Sequence, residues 1–159
     1  DGDGKRADNL VKAVNKTITY LMKEDENNRV AVVAYNTKAT KILPLGRYYV
    51  GSKADYSNTN SYFSVSKSSK NDGYKKLDIG KIKNESTNNL TDKASKSIEV
   101  YGATYIQDGI KQGADILINE KTTTYTDSVS GQKVTRTPNI LLLSDGCPWK
   151  FGLQEFAFE

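Results

Sequence analysis

Asp145 closes an apolar run, Asn139 to Gly146 (NILLLSDG), with the form of a buried strand delivering one carboxylate to a sheet edge, where ligands bind in open α/β folds. Thr104 stands in a second such place. Tyr101 to Gly113 (YGATYIQDGIKQG) begins as a turn of Gly, a small residue and Thr and runs straight into a helical pattern. A hydroxyl and a carboxylate brought together suit a hard cation such as Mg²⁺, which takes oxygen ligands in octahedral geometry and keeps several waters. Each residue also has a purely structural use. Thr104-x-x-Gln107 is a capping box that satisfies free N–H groups at a helix start, and Asp-Gly after a strand is ordinary turn chemistry.

The elements that must position these two residues are read from periodicity. From Lys5 to Lys23, Leu10, Val14, Ile18 and Leu21 recur at three- and four-residue spacing, an amphipathic helix. Glu24 to Asn28 breaks it, and Arg29 to Tyr35 (RVAVVAY) is continuously apolar and β-branched, the pattern of a strand buried on both faces. A turn at Asn36 to Ala39 leads to Thr40–Leu45, an edge strand because Pro44 lacks the N–H that a central strand uses. Residues 46–89 are Ser-, Asn-, Lys- and Tyr-rich and read as a polar insertion holding a hairpin, Tyr62–Ser66 with Tyr74–Ile79. Thr91 or Asp92 starts a short helix ending near Glu99. The next helix, from Thr104, carries two glycines, Gly109 and Gly113, whose helical cost of about 1 kcal/mol each is explained by a close helix-to-sheet approach. Lys121 to Arg136 is a hairpin turning at Ser128–Gly131. Strands alternating with helices give an α/β fold class: a Rossmann-like, doubly wound, mainly parallel sheet with helices on both faces.

Composition bounds the chemistry. A chain of 159 residues suits a single domain, and with 36% hydrophobic residues its core is modest. The charge of +4, from 23 Lys+Arg against 19 Asp+Glu, is scattered rather than gathered into a stripe, which argues against a nucleic-acid partner. With no His there is no His-based acid–base catalysis, Ser-His-Asp triad or His-ligated zinc. Cys147 is the single cysteine, so neither an internal disulfide nor a thiolate cluster forms within the chain. Nothing approaches the ~20 apolar residues of a bilayer span, and DGDGKRAD is not a secretory signal. An enzymatic use of Asp145 in Mg²⁺-assisted phosphoryl transfer lacks a Gly-rich, Lys-bearing phosphate loop.

Gly102-Ala103-Thr104 and Leu143-Ser144-Asp145-Gly146 resemble two parts of the metal-ion-dependent adhesion site (MIDAS) of von Willebrand factor type A (vWA) domains: the Thr loop and the Asp at the end of the fourth strand. The Lys5 helix and NRVAVVAYNTKATKILPL are similar to that family's first helix and next two strands. The resemblance spans Lys5–Leu45 and Glu99–Gly146. It implies a single partial vWA-like domain over residues 1–159, binding Mg²⁺ (or Mn²⁺ or Ca²⁺) weakly through Thr104 and Asp145, with the shell completed by an acidic side chain of a protein ligand. The family's Asp-x-Ser-x-Ser motif does not occur in the chain. The strand carrying it is expected before Asp1, and the family's C-terminal elements after the 13 residues that follow Gly146. Asp1 and Asp3 do not replace the motif, because Lys5 would then occupy a ligand position; the same Lys, or Leu10, spoils an EF-hand-like reading of DGDGKRADNL.

The Lys/Asn/Thr-rich composition and the 46–89 insertion resemble bacterial wall-anchored or pilus-tip adhesins of that family. They imply an extracellular, cell-surface protein-binding domain without enzymatic activity, recognising a host or matrix protein. The alternative is an intracellular vWA scaffold assembling with an ATPase or multiprotein complex. Asn84-Glu85-Ser86 and Asn89-Leu90-Thr91 fit the glycosylation sequon. Trp149, Phe151, Phe156 and Phe158 in the last residues read as core aromatics or as a severed end.

Overall fold

The computed structural model describes residues 3–52, 62–70, 74–94, 96–100 and 104–144. Helix α1, Asp3–Glu24, is followed by strands β1 (Val30–Tyr35), β2 (Ala39–Gly46), β3 (Tyr48–Val50), β4 (Phe63–Lys67), β5 (Lys75–Ile79), β6 (Ile82–Asn84) and β7 (Ser97–Val100). Helix α2 (Ile106–Ile118) and the hairpin β8 (Thr124–Thr126) and β9 (Lys133–Thr135) complete the order.

Pairing among the described residues is antiparallel throughout: β1 with β2, β3 with β6, β4–β5–β7 as a three-stranded sheet, and β8 with β9. This overturns the expected doubly wound parallel sheet. The physical reason lies in the links. A parallel pair needs a crossover of a dozen or more residues, whereas short turns return the chain antiparallel. Asn36–Lys38 joins β1 to β2 and Asp127–Gln132 joins β8 to β9 as hairpins, and the pairs with longer links, β3–β6 and β5–β7, run antiparallel as well. The Asn139–Leu143 run, expected as the strand carrying Asp145, has no strand assignment, and Ile140, Leu141 and Leu142 are exposed. The short helix expected before Glu99 is a turn over 92–94 followed by β7.

The core lies under α1. Ile18 and Met22 cluster with Ile42, Leu43, Tyr48, Tyr62, Phe63, Ile79 and Ile82, and Val11, Val14 and Leu21 pack at the margin. Six of the eleven buried apolar residues among those described fall in 46–89, so that polar segment contributes more than half of the buried apolar set. Its tyrosines can be interior because their hydroxyls find carbonyls: Tyr48 donates to Pro44 O at 2.5 Å and Tyr62 to Tyr48 O at 3.0 Å. Asn15, on the apolar face of α1, is 1% exposed and makes both hydrogen bonds with the Phe63 backbone, Nδ2 to O at 2.8 Å and Phe63 N to Oδ1 at 3.1 Å. It pins the sheet to the helix by polar means.

Two further features set up the ends of β1. Arg47 ties the end of α1 to the turn that follows it, donating to Met22 O, one of the last-turn carbonyls a helix leaves without N–H partners, and to Asp25 O and Asn28 O of the turn, while its Nε pairs with Glu85 at 2.6 Å. Along β1, Val30, Val32 and Ala34 pack on the core, while Tyr35 lies against Gly109 of α2. The strand is thus contacted from both sides, but all six of its residues are half-buried rather than buried on both faces as the composition predicts. Pro44 sits in β2 between the paired positions Leu43 and Gly46, where the register is irregular and a missing N–H costs nothing.

Candidate functional site

Three chain segments are fastened to the C-terminal end of β1. Tyr35 Oη donates to Leu143 O at 2.8 Å, across 108 residues of sequence. Asn36 O accepts the Tyr105 N–H at 2.8 Å, and Asn36 Nδ2 donates to Glu99 O at 3.1 Å. The remaining amide oxygen of Asn36 folds the turn to β2 by accepting from Lys38 N at 3.2 Å. Tyr35 at the end of β1 and Asn36 just after it therefore hold the Thr104 loop and the backbone two residues before Asp145. Asp145 itself lies outside the described residues, as do Gly102, Ala103, Cys147, Trp149, Phe151, Phe156 and Phe158.

Thr104 is half-buried, and its carbonyl accepts from Ile106 N at 3.1 Å. Its expected structural use is not realised. The residue at the cap position is Tyr105, with no side-chain cap hydrogen bond, and the helix begins at Ile106. The register is one residue beyond that of the expected capping box, so the Thr104 hydroxyl is not spent on the α2 N-terminus.

Close packing keeps α2 on this end. A Cβ on Gly109 would come within 2.7 Å of Tyr35 Cδ1 and 2.9 Å of Cγ, so only a glycine lets the helix approach the ring. Gly113 is looser, with Ile140 Cδ1 at 3.9 Å from the same ideal position. The close helix-to-sheet approach read from the two glycines is found at Gly109, whereas Gly113 faces the side chain of Ile140, which lies in no strand.

Residues missed by sequence reasoning are Tyr35, Asn36 and Glu99. Glu99 has a buried carboxylate oxygen, Oε2, with no hydrogen-bond partner; an unpaired buried acid is costly unless a cation or donor completes it. Only the rule that a polar residue ending an apolar strand is well placed for a ligand could have flagged Asn36.

Among the described residues no three of His, Cys, Asp and Glu gather in a group able to hold a metal ion. A cation at this end would depend on neutral oxygens and few carboxylates. The Thr104 hydroxyl and the orphaned Glu99 oxygen are donors of the hard type that Mg²⁺, Mn²⁺ or Ca²⁺ accepts. Asp3 stands in the first turn of α1, so residues 3–10 form helix rather than a calcium loop. Of the sequon residues, Asn84 turns its Oδ1 onto Ser86 N and Thr87 N and is engaged, whereas Asn89 is exposed. No helix among the described residues is long and apolar enough to cross a membrane. No family model matches the chain, and neither a curated protein nor a solved structure gives a significant match.

Proposed function

We propose that this chain is a protein-binding domain whose recognition depends on a divalent cation held at the C-terminal end of β1. Thr104 supplies a hydroxyl, Asp145 a carboxylate, and an acidic side chain of the partner a further oxygen. The resemblance to type A adhesion domains suggests this chemistry. The observation carrying it is local: the Thr104 hydroxyl is left unused by the helix it precedes, while Tyr35 and Asn36 tie both candidate segments to one strand end. Because the protein's donors include few charges, a bound cation keeps positive charge toward solvent, which is what attracts a partner's carboxylate. The adhesive, cell-surface setting follows from the family resemblance and the Lys/Asn/Thr-rich composition, and belongs to the same proposal.

Mn²⁺ titration followed by paramagnetic broadening of amide NMR signals tests it. Broadening is expected first at residues 104–106 and 143–145, with Mg²⁺ competing it away. Thr104→Ala and Asp145→Ala should each weaken the effect by at least about tenfold, equivalent to ~1.4 kcal/mol, and Thr104→Ser, which keeps the hydroxyl, should preserve it. Broadening centred on the acidic stretch Glu24–Glu26, or indifferent to both Ala variants, rejects the site.

A further inference from the structure

We infer that the opposite end of β1 carries a second, independent site, for an oxyanion: a carboxylate or phosphate group held by Arg136. Six residues of strand separate the two ends, on the order of 20 Å. The basic residues look scattered in sequence, yet the fold brings Arg29, Arg47 and Arg136 to one cavity of about 450 Å³, walled also by Glu26, Asn84 and Ser86.

Two of these arginines are committed. Arg47 is paired with Glu85 and bound to the Met22 and Asp25 carbonyls. Arg29 faces Glu120, Nη1 to Oε2 at 3.4 Å, and donates through Nη2 to Thr122 O at 2.7 Å. Arg136 differs. Its Nη1 donates to Thr124 O at 2.7 Å and to Thr122 O at 3.4 Å, the same carbonyl that Arg29 uses, and its guanidinium lies 4.9 Å from the Tyr125 ring centre. No carboxylate among the described residues pairs with it, Nη2 has no acceptor there, and Nε is buried without one.

Stapling the β8–β9 hairpin explains the Nη1 bonds and the stack on Tyr125. It does not explain why a second guanidinium should share a carbonyl with Arg29 while no carboxylate comes into direct contact with it, Glu120 and Asp25 acting on it only from longer range. Burial and the charge of Arg29 both hold the Arg136 guanidinium below its ordinary pKa. An anion bridging the cavity mouth removes that penalty, and the stack and carbonyls have already fixed the plane against which it docks. Glu26, exposed and lining the same cavity, opposes the anion and keeps affinity low.

Titration with sodium phosphate and, separately, sodium acetate at constant ionic strength, read on arginine Nε–Hε and backbone NMR signals, tests the site. A saturable shift at Arg136 and Arg29 is expected, and the salt that saturates at lower concentration identifies the phosphate or carboxylate source. Glu26→Gln, which leaves the hairpin untouched, should tighten binding about threefold, and Arg136→Gln should weaken it at least about tenfold. Linear, non-saturating shifts with both salts overturn the proposal. So does an affinity unchanged in Glu26→Gln, whether or not Arg136→Gln keeps its hairpin.

Discussion

Replacing Gly109 by Ala should destabilise the protein although alanine is the better helix former. The new methyl would lie 2.7 Å from Tyr35 Cδ1, 2.9 Å from Cγ and 3.3 Å from Cβ, atoms at the root of the ring rather than its mobile tip. Tyr35 cannot simply swing aside, because its hydroxyl is anchored on Leu143 O at 2.8 Å. Helix propensity contributes about 1 kcal/mol in favour of Ala, and loss of the Tyr35–Leu143 hydrogen bond costs about the same. What remains is the overpacking term, roughly 2 kcal/mol. With a urea dependence of about 2 kcal/mol per M, the midpoint should fall by about 1 M. Gly113→Ala is the matched control. Its nearest neighbour atom stands at 3.9 Å, so only the propensity term acts and the midpoint should rise by about 0.5 M. A Gly109→Ala protein as stable as the parent would refute the close-approach reasoning, and so would a Gly113→Ala protein weakened to the same degree.

Asn15→Ala strips both partners from the buried Phe63 backbone; unsatisfied buried groups make this cost about 3 kcal/mol by urea unfolding, and a loss under 1 kcal/mol would show that the backbone re-pairs. Thr19→Val should be neutral or stabilising by up to about 1 kcal/mol, since Thr19 is 4% exposed and its hydroxyl has no partner; a clear loss of stability would reveal a bonded hydroxyl. Burial pushes the Tyr48 phenol up from 10.0 to about 12, with the Asn84 side chain pulling it partly back. Between those values the unfolded chain has released a proton that the folded chain retains. Stability contributed by neutral Tyr48 is therefore complete below pH 10 and declines toward pH 12. Urea midpoints across that window should fall more steeply in the parent than in Tyr48→Phe, and parallel declines would contradict the assignment.

What was legible in the sequence depended on residues a few positions apart. The apolar spacing of α1, the β-branched run of β1, Pro44 in a strand with an open edge and Gly131 at φ 68 in the last hairpin are each decided locally. Pairing direction is not, because it follows from which distant strand lies alongside. The NILLL run shows the difference: its composition is that of an interior strand, yet a strand exists only when another chain segment completes its hydrogen bonds, and among the described residues none does. Residues 46–89 mislead in the opposite sense. Ser, Asn and Lys dominate the composition and suggest an excursion, while Tyr48, Tyr49, Tyr62 and Phe63 are nearly inaccessible. Tyrosine counts as polar in such a reading but buries a large apolar ring wherever its hydroxyl reaches a carbonyl.

The candidate site was half legible for the same reason. Thr104 could be named from its turn, but its capping role could be discounted only once the helix start was seen at Ile106. Tyr35 and Asn36, which gather the site, carry no signature because their partners lie 108 and 63 residues away. Their arrangement has a mechanical consequence for the proposed binding. The Tyr105 N–H is held by Asn36, and Gly109 is pressed on Tyr35, so the first turn of α2 cannot shift without moving β1. Beyond Gly109 the helix stays attached, with Gln112 and Ile116 beside Lys41 and Pro44 of β2 and Glu120, just past its end, paired with Arg29. A ligand that favours one position of the Thr104 loop would then be felt by α2 and β1 together, and its effect is limited to its difference in affinity for the two positions.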